Sequence, residues 1–315
     1  MVDVSIVIVS MNNMSNLGPC LDSIKLYTSV SYEVFVVAYL FSADNLDSLK
    51  KLYPWVHIII SNEIRGFSEN NNLALQQVHG KYCFVLNDDT FIKSFVIDDL
   101  VRDISELPKQ VAIISPNIKF PNGKNQFCGR RKFTWLTWIL DMLLIGRVVY
   151  LWDKKKKHRG IFKSYNISGA AFLIKTNVFC SLGWFNEDYF FCPEDIALSD
   201  LVNKKGMFCF VDSDVVVYHI GGGSTSKIRM ATLPAYYKGS LLFYSQNNRL
   251  LKFILASIVR FITILYTFFH LFGFFVGNRS ASILVKGNFN VSKTIFSDKT
   301  PKELFVYFYS KINNN

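Results

Sequence analysis

Two pairs of adjacent acids stand where the surrounding pattern turns from apolar to polar. The first closes Tyr82-Cys83-Phe84-Val85-Leu86-Asn87-Asp88-Asp89-Thr90. The apolar run reads as a strand buried on both faces, and its C-terminal end is where a parallel sheet opens a ligand crevice. Adjacent carboxylates raise one another's pKa unless a cation or donor hydrogens hold the charge. A hard divalent ion shared with phosphate oxygens meets that condition. The competing reading is that Asp88 and Asp89 cap the next turn or helix.

The second pair ends Trp184-Phe185-Asn186-Glu187-Asp188-Tyr189-Phe190-Phe191-Cys192-Pro193-Glu194-Asp195, an aromatic loop that runs onto a helix extending through Lys205. Positions 194, 195, 198, 201 and 202 share one face of that helix, which sets both carboxylates at the rim of the core. Acids in a first turn suit the helix dipole. A half-dry carboxylate beside an aromatic wall is also where a general base is tuned. A third chemical stretch is His219-Ile220-Gly221-Gly222-Gly223-Ser224-Thr225. A histidine at a strand end can ligate metal while a glycine-rich loop closes over a diphosphate. The fourth is the polar stretch from Asn62 to Asn72. There Arg65 can neutralise phosphate, Gly66 permits close backbone approach, and the asparagines can bond a sugar; a plain capped loop is the alternative.

Strands and helices alternate at a spacing that implies βαβ units and a largely parallel sheet. Val4–Val9, Glu33–Tyr39, Val56–Ile60 and Tyr82–Leu86 read as strands. Helices are expected over Asn16–Tyr27 with a Ser15 cap, Ala43–Tyr53, Glu69–Val78 closed by a left-handed Gly80, and Phe95–Leu107. Further on, Val111–Ile114, Gly169–Lys175, Phe208–Val211 and Val215–Tyr218 read as strands, with a hairpin turn at Pro121–Lys124. The tail from Asn288 to Asn315 is expected to be a loop and a short helix. This gives an α/β fold with a mostly parallel mixed sheet over 1–230 and a helical, membrane-associating appendage over 231–315. The first part divides into a nucleotide-binding half, 1–115, and an acceptor-binding half, 116–230.

The 315 residues carry 35 Lys and Arg against 24 Asp and Glu, a formal charge of +11, with 16% aromatics. An anionic partner follows from that balance. No nucleic-acid recognition motif accompanies it. Six scattered cysteines contain no Cys-x-x-Cys pair, which argues against a zinc site and for reduced thiols in the cytosol. No basic leader precedes Val4–Val9, so no secretion signal is expected. Phe133–Ile145, followed by Lys154–Lys157, reads either as an interfacial segment with a basic flank or as a buried helix beside a solvated lysine run. Phe253–Val276 is long and apolar, with Arg260 and His270 as its ionisable interruptions, and favours lying in the membrane interface over spanning it.

Taken together, Val7–Asn12, Gly66-Phe67 with Asn71-Asn72, Leu86–Thr90, Phe190–Asp195 and His219–Ser224 resemble the inverting nucleotide-sugar glycosyltransferases of family two, especially bacterial rhamnosyltransferase-like enzymes of surface polysaccharide assembly. The resemblance implies a GT-A fold and Mg2+ or Mn2+ held by Asp89, with Asp88 or Asn87 assisting and His219 as a further ligand. It implies Asp195 as the base, with Glu194 second. A UDP- or dTDP-sugar would lie against Ser10, Asn12, Arg65, Gly66, Asn72, Asn87 and Asp88. Trp184, Phe190 and Phe191 would stack on a lipid-linked glycan acceptor at the cytoplasmic face of the inner membrane. One position departs from the pattern: after the second strand the family carries Asp-Asn, and here Ala38-Tyr39 stand. A degenerate, non-catalytic assembly subunit is the alternative function. A nucleotidyltransferase is disfavoured, because no glycine-rich loop near the first strand would hold a triphosphate.

Overall fold

A computed structural model describes residues 2–126, 129, 131–143, 159–221 and 228–313. The chain forms two compact units. The first comprises Met1–Lys132, His158–Asn186 and Glu194–Gly221; the second comprises Phe133–Lys157, Glu187–Pro193 and Gly222–Asn315. Residues 133–157 and 187–193, read from sequence as part of the first domain, thus belong to the second unit. The Lys154–Lys157 run and Gly222 to Thr225 lie outside the described residues.

The first unit is built on a nine-stranded mixed sheet. Its strands are β1 (Val4–Met11), β2 (Tyr32–Tyr39), β3 (His57–Ser61), β4 (Tyr82–Asn87), β5 (Thr90–Ile92), β6 (Val111–Lys119), β7 (Ile161–Ser164), β8 (Ala171–Lys175) and β9 (Phe208–His219). The order is β3-β2-β1-β4-β8-β6-β9-β5, with β7 also on β9. β1 to β4 pair in parallel, so their C-terminal ends share one edge, whereas β8 runs antiparallel to both β4 and β6.

Strict alternation of buried residues lets this sheet be covered on both faces. Val4, Ile6 and Ile8 of β1 join Phe84 and Leu86 of β4 on one face. There α1 (Met14–Leu26), α2 (Ala43–Leu52) and α4 (Val96–Glu106) supply Leu17, Leu21, Leu49 and Leu100. Val7 and Val85 face the other side, against Leu75 of α3 (Phe67–Leu75), Phe179 of α6 (Thr176–Ser181) and Leu198 of α7 (Glu194–Lys204). Phe172, Phe179 and Phe185 meet edge to face at centroid separations of 5.1–6.5 Å.

Several local expectations are corrected. α1 is capped by Asn13, whose side chain accepts from Asn16 N, and not by Ser15. α3 ends at Leu75, and Gly80 is not left-handed. Glycine is required there because a Cβ would lie 2.5 Å from Ser5 N. The two strands expected over 208–218 are one strand, β9, whose pairing with β6 shifts register between Pro116 and Asn117. An antiparallel edge needs no buried apolar run, and the short β5 and β7 escaped notice for that reason.

In the second unit, Trp138, Ile139 and Met142 of α5 (Trp135–Met142) pack with Tyr237, Leu241 and Tyr244 of α8 (Arg229–Ser245) and with Leu255 and Val259 of α9 (Arg249–Phe275). Gly239 of α8 leaves room for the Cys192 carbonyl, which a Cβ would meet at 2.5 Å. The tail is not a loop: α10 (Arg279–Thr294) and α11 (Pro301–Asn313) are full helices. Lys238 is buried and donates to the Ile295 and Ser297 carbonyls beyond the end of α10, and burial pushes its ammonium down to about 8.

Candidate functional site

The parallel strand ends assemble the first half of the site. Register pairs Ser10 with Ala38, Tyr39 with Ser61, and Val9 with Asn87. Ser10 is fully buried and its hydroxyl donates to Asp88 Oδ2 at 2.6 Å. Burial pushes the Asp88 carboxyl up to about 6, with the charge of Asp89 adding to the rise and the Ser10 hydrogen bond opposing it.

Asp89 reaches a different set of partners. Antiparallel pairing of β5 with β9 sets His219 opposite Thr90. His219 Nε2 then lies 3.1 Å from Asp89 Oδ1, while Gly221 N donates to Oδ2 at 3.0 Å and Ile220 N to the Asp89 carbonyl at 3.0 Å. Burial raises the Asp89 carboxyl, yet the bond and charge of His219 together with the Gly221 N–H outweigh it and hold the group below its ordinary value. Gln126, just past the Pro121–Lys124 turn, fixes the imidazole. Its amide nitrogen donates to the His219 carbonyl, so its Oε1 must accept from Nδ1 at 2.7 Å. With Nδ1 donating to Gln126, Nε2 is the ring nitrogen turned to the Asp89 carboxylate, where it carries a proton in the ion pair or offers its lone pair to a cation.

Two acceptors facing at that distance need a proton or a cation between them. That donor set, one carboxylate and one oriented imidazole with Asn87 Nδ2 3.5 Å from Nε2, fits a divalent ion that completes its shell with phosphate and water oxygens. No cluster of three ligating side chains exists among the described residues, because Asp88 is turned to Ser10.

Asp195 stands in the first turn of α7, half-buried. Its Oδ2 accepts from Gly169 N at 3.0 Å, and the Ala170 carbonyl accepts from Asn87 N at 2.9 Å. One short backbone step thus ties Asp195 to the strand end that bears Asp88 and Asp89. A Cβ on Gly169 would lie 3.2 Å from Asp195 Cβ. Glu194, beside it, is also half-buried.

Other expected site residues also make scaffold contacts. Asn12, at φ +49, accepts from Ser42 N and Asn45 Nδ2, both at 2.9 Å, and so pins the start of α2. Asn72 donates to the Phe185 carbonyl at 2.9 Å and accepts from Phe185 N at 3.1 Å, so both ends of its amide are taken by backbone. Gly66 caps α3 with φ −75, its N–H donating to Glu69. Arg65 pairs with Glu63 at 2.6 Å, and its buried Nε has no hydrogen-bond partner. Its backbone N–H donates to the Tyr39 hydroxyl at 3.4 Å.

Of the expected acceptor aromatics, Phe190 is 4% exposed and packs on Phe305 at 4.7 Å, which makes it a core residue of the second unit. Trp184 is half-buried against Phe179 in the first unit, and Phe191 is half-buried in the second. Sequence reasoning missed Gln126 and Gly169. The small-residue run Ser168-Gly169-Ala170-Ala171 was a signal for the second; nothing marked the first.

The description "Glycosyl transferase family 2" fits residues 5–180 of the chain. Over 82 residues the chain is 28% identical to the N-acetylglucosaminyl-diphospho-decaprenol L-rhamnosyltransferase of Mycobacterium tuberculosis, in two strains. That stretch is 26% of this chain and spans 27% of the relative's length. Among solved structures, GalNAc-T7 with UDP, GalNAc and Mn2+ superposes at a TM-score of 0.56 and 16% identity over 78% of this chain and 50% of that one. The mannosyltransferase PcManGT from Pyrobaculum calidifontis, in complex with GDP-Man and Mn2+, gives 0.52 and 13% over 99% and 80%. At these identities the likeness concerns the fold.

Proposed function

The chain belongs to glycosyl transferase family 2, and from that premise we propose that it moves a sugar from a nucleoside-diphosphate donor, a UDP- or dTDP-sugar such as dTDP-rhamnose, to a lipid-linked oligosaccharide. The transfer inverts the anomeric carbon and serves O-antigen or capsule-type polysaccharide assembly. The observation that carries this reading is the oriented Asp89–His219 pair, joined through Gly169 and Ala170 to the carboxylate of Asp195. Support for the acceptor class comes from the diphospho-decaprenol in the name of the rhamnosyltransferase relative, and support for donor and metal from the nucleotides and Mn2+ bound in the structural neighbours.

Asp195 takes the proton of the acceptor hydroxyl, whose oxygen forms the new bond to the anomeric carbon as the bond to the diphosphate breaks and its electron pair leaves. The Gly169 N–H keeps the carboxylate in place. Asp89 and His219 would hold a divalent ion, Mg2+ or Mn2+, which neutralises the charge gathering on the departing diphosphate. Asp88, bonded to Ser10, sets the floor beneath the donor, and Arg65 supplies a fixed positive charge at the neighbouring strand end. Trp184 remains the aromatic group of the first unit for the acceptor.

The membrane surface is the second partner. α9 exposes Leu250, Phe253, Phe261, Leu265, Phe268, Phe269, Phe272 and Phe275 at helical spacing, with Phe269 and Phe272 at 78% and 79%. Its mean hydropathy is 1.8 over the most apolar stretch, and Arg249, Lys252 and Arg260 punctuate it. A helix of that pattern lies in the interface of a membrane, here the cytoplasmic face of the inner membrane.

Donor-dependent transfer to a lipid acceptor in the presence of Mn2+ tests the enzyme reading. Asp195→Asn should lower kcat by on the order of 10²–10⁴ with little change in donor affinity; a fully active variant removes Asp195 as the base. The specific observation for a degenerate subunit is Tyr39, which occupies a position of the Asp-Asn pair and accepts from Arg65. Calorimetry with UDP and dTDP plus metal decides between the two, since no nucleotide binding at all would favour the subunit.

A further inference from the structure

The second unit carries a cleft that sugar transfer leaves unused. It encloses about 440 Å³ against α10, α11 and the turn between them. Lys286 and Lys293 reach it from α10, Lys299 from the connection, and Lys311 from α11. Lys286 and Lys293 are seven residues apart, two turns on one helix face. No Asp or Glu is among the residues that line the cleft. The nearby acid Glu303 is turned to the start of α11, where it accepts from Thr300 N at 2.7 Å.

The lysines converge on one ring. Lys311 Nζ donates to the Tyr307 hydroxyl at 2.8 Å and stands 4.2 Å from the ring centroid, with Lys299 Nζ at 5.6 Å from the same ring. The Lys311 bond, followed by the charges of Lys311, Lys293 and Lys299, holds the Tyr307 phenol below its ordinary value, which reports a concentrated positive field. Ammonium groups gathered in one cleft repel one another, and a phosphate relieves that repulsion while accepting their hydrogens.

The rest of the lining is amphiphilic. Phe289, Phe308 and Met230 provide an apolar wall beside Thr294 and Ser297. One turn beyond Lys293, Phe296 meets the exposed Phe253 of α9 at 5.8 Å, and the Arg260 guanidinium sits 5.8 Å from the Phe296 ring. The apolar stripe of α9 therefore continues onto the turn that follows the helix carrying two of the lysines.

We propose that this cleft seats the phosphate of an anionic lipid headgroup, with the acyl chains following the Phe296–Phe253 path toward α9. The proposal rests on the reading of α9 as the membrane-facing helix, and the experiment separates the two. The full chain is floated with vesicles of phosphatidylcholine alone, of phosphatidylcholine with phosphatidic acid, and of phosphatidylcholine with oleic acid at matched surface charge. Phosphatidic acid should tighten binding over phosphatidylcholine alone. The triple variant Lys293→Gln, Lys299→Gln, Lys311→Gln should lose about 100-fold in that binding, since each lysine near an anionic surface contributes roughly fivefold.

The triple variant should still bind phosphatidylcholine through α9, and the corresponding Lys→Arg variant should retain most of the gain. The same melting temperature in all three proteins shows that folding is not what changed. Equal binding to oleic-acid vesicles, or no gain from phosphatidic acid, overturns the phosphate seat and leaves the α9 reading intact. No binding to any vesicle overturns both. Lysine-dependent binding of inorganic phosphate in calorimetry, unaccompanied by vesicle binding, makes the cleft a site for a soluble anion and overturns the lipid assignment.

Discussion

Helices α3 and α9 invert the usual relation between polarity and burial. α3 carries Asn70, Asn71 and Asn72 in succession, and all three are buried. α9 is predominantly apolar over 27 residues and leaves most of its phenylalanines open. The difference lies in the partners each helix finds inside its own unit. Asn70 donates to the Gly66 carbonyl and accepts from Ser61, Asn71 donates to the Phe67 carbonyl, and Asn72 bridges both backbone groups of Phe185. A polar group so matched is buried at little cost. Among the described residues the phenylalanines of α9 stay largely exposed, although Phe253 meets Phe296 at 5.8 Å.

The largest expected effect comes from the open helix. Phe268→Ser with Phe272→Ser should weaken vesicle binding by on the order of 100-fold, since burying a phenyl ring contributes roughly 1.5–3 kcal/mol and interfacial burial is partial. The melting temperature should hold or rise. Flotation unchanged by the double substitution would mean that α9 faces something other than lipid, and the contrast would break.

The buried helix makes the next test. Asn72→Leu strands the Phe185 N–H and carbonyl in the core, and stability should fall by about 2 kcal/mol as read in urea. A neutral result would show that water replaces the amide, and the polarity of α3 would lose its explanation. The smallest effect sharpens the rule through an exception. Asp103 Oδ2 is buried with no hydrogen-bond partner. Burial, then the neighbouring Asp212, pushes the Asp103 carboxyl from 3.8 up to about 6 against the pull of Arg102. A raised carboxyl favours the folded state while protonated, so its contribution is full below about pH 3.8 and is lost as pH rises through about 6. Thermal melts of Asp103→Asn across that window should show a smaller decline than the native chain, the remainder coming from Asp88, whose carboxyl is also raised to about 6.

The parallel half of the fold was legible because each strand is an unbroken apolar run followed by a helix at regular spacing. The Asp88–Asp89 pair was legible for the same reason, standing where such a run stops. The role of Asn72 was not: a buried asparagine and a ligand-binding asparagine look alike until the Phe185 backbone, over a hundred residues away, is seen against it. Phe190 was misread as a sugar platform because exposure is not written in an aromatic run. Gln126 was invisible, since its value depends wholly on the imidazole that a distant strand brings to it. The extent of α9 was legible, because Phe253–Val276 is one long apolar run that nearly coincides with the helix Arg249–Phe275.

Gly169 gives the first unit an unusual kind of handle. Its missing methyl group is the width by which Asp195 approaches the strand end, since an added Cβ would meet the aspartate Cβ at 3.2 Å and oblige it to give by a few tenths of an ångström. An alanine there would leave the acid's identity untouched and alter only its reach. On the proposed role of Asp195 as the base, the position is a ruler on which the dependence of proton transfer on distance could be marked off, with every side chain of the site unchanged.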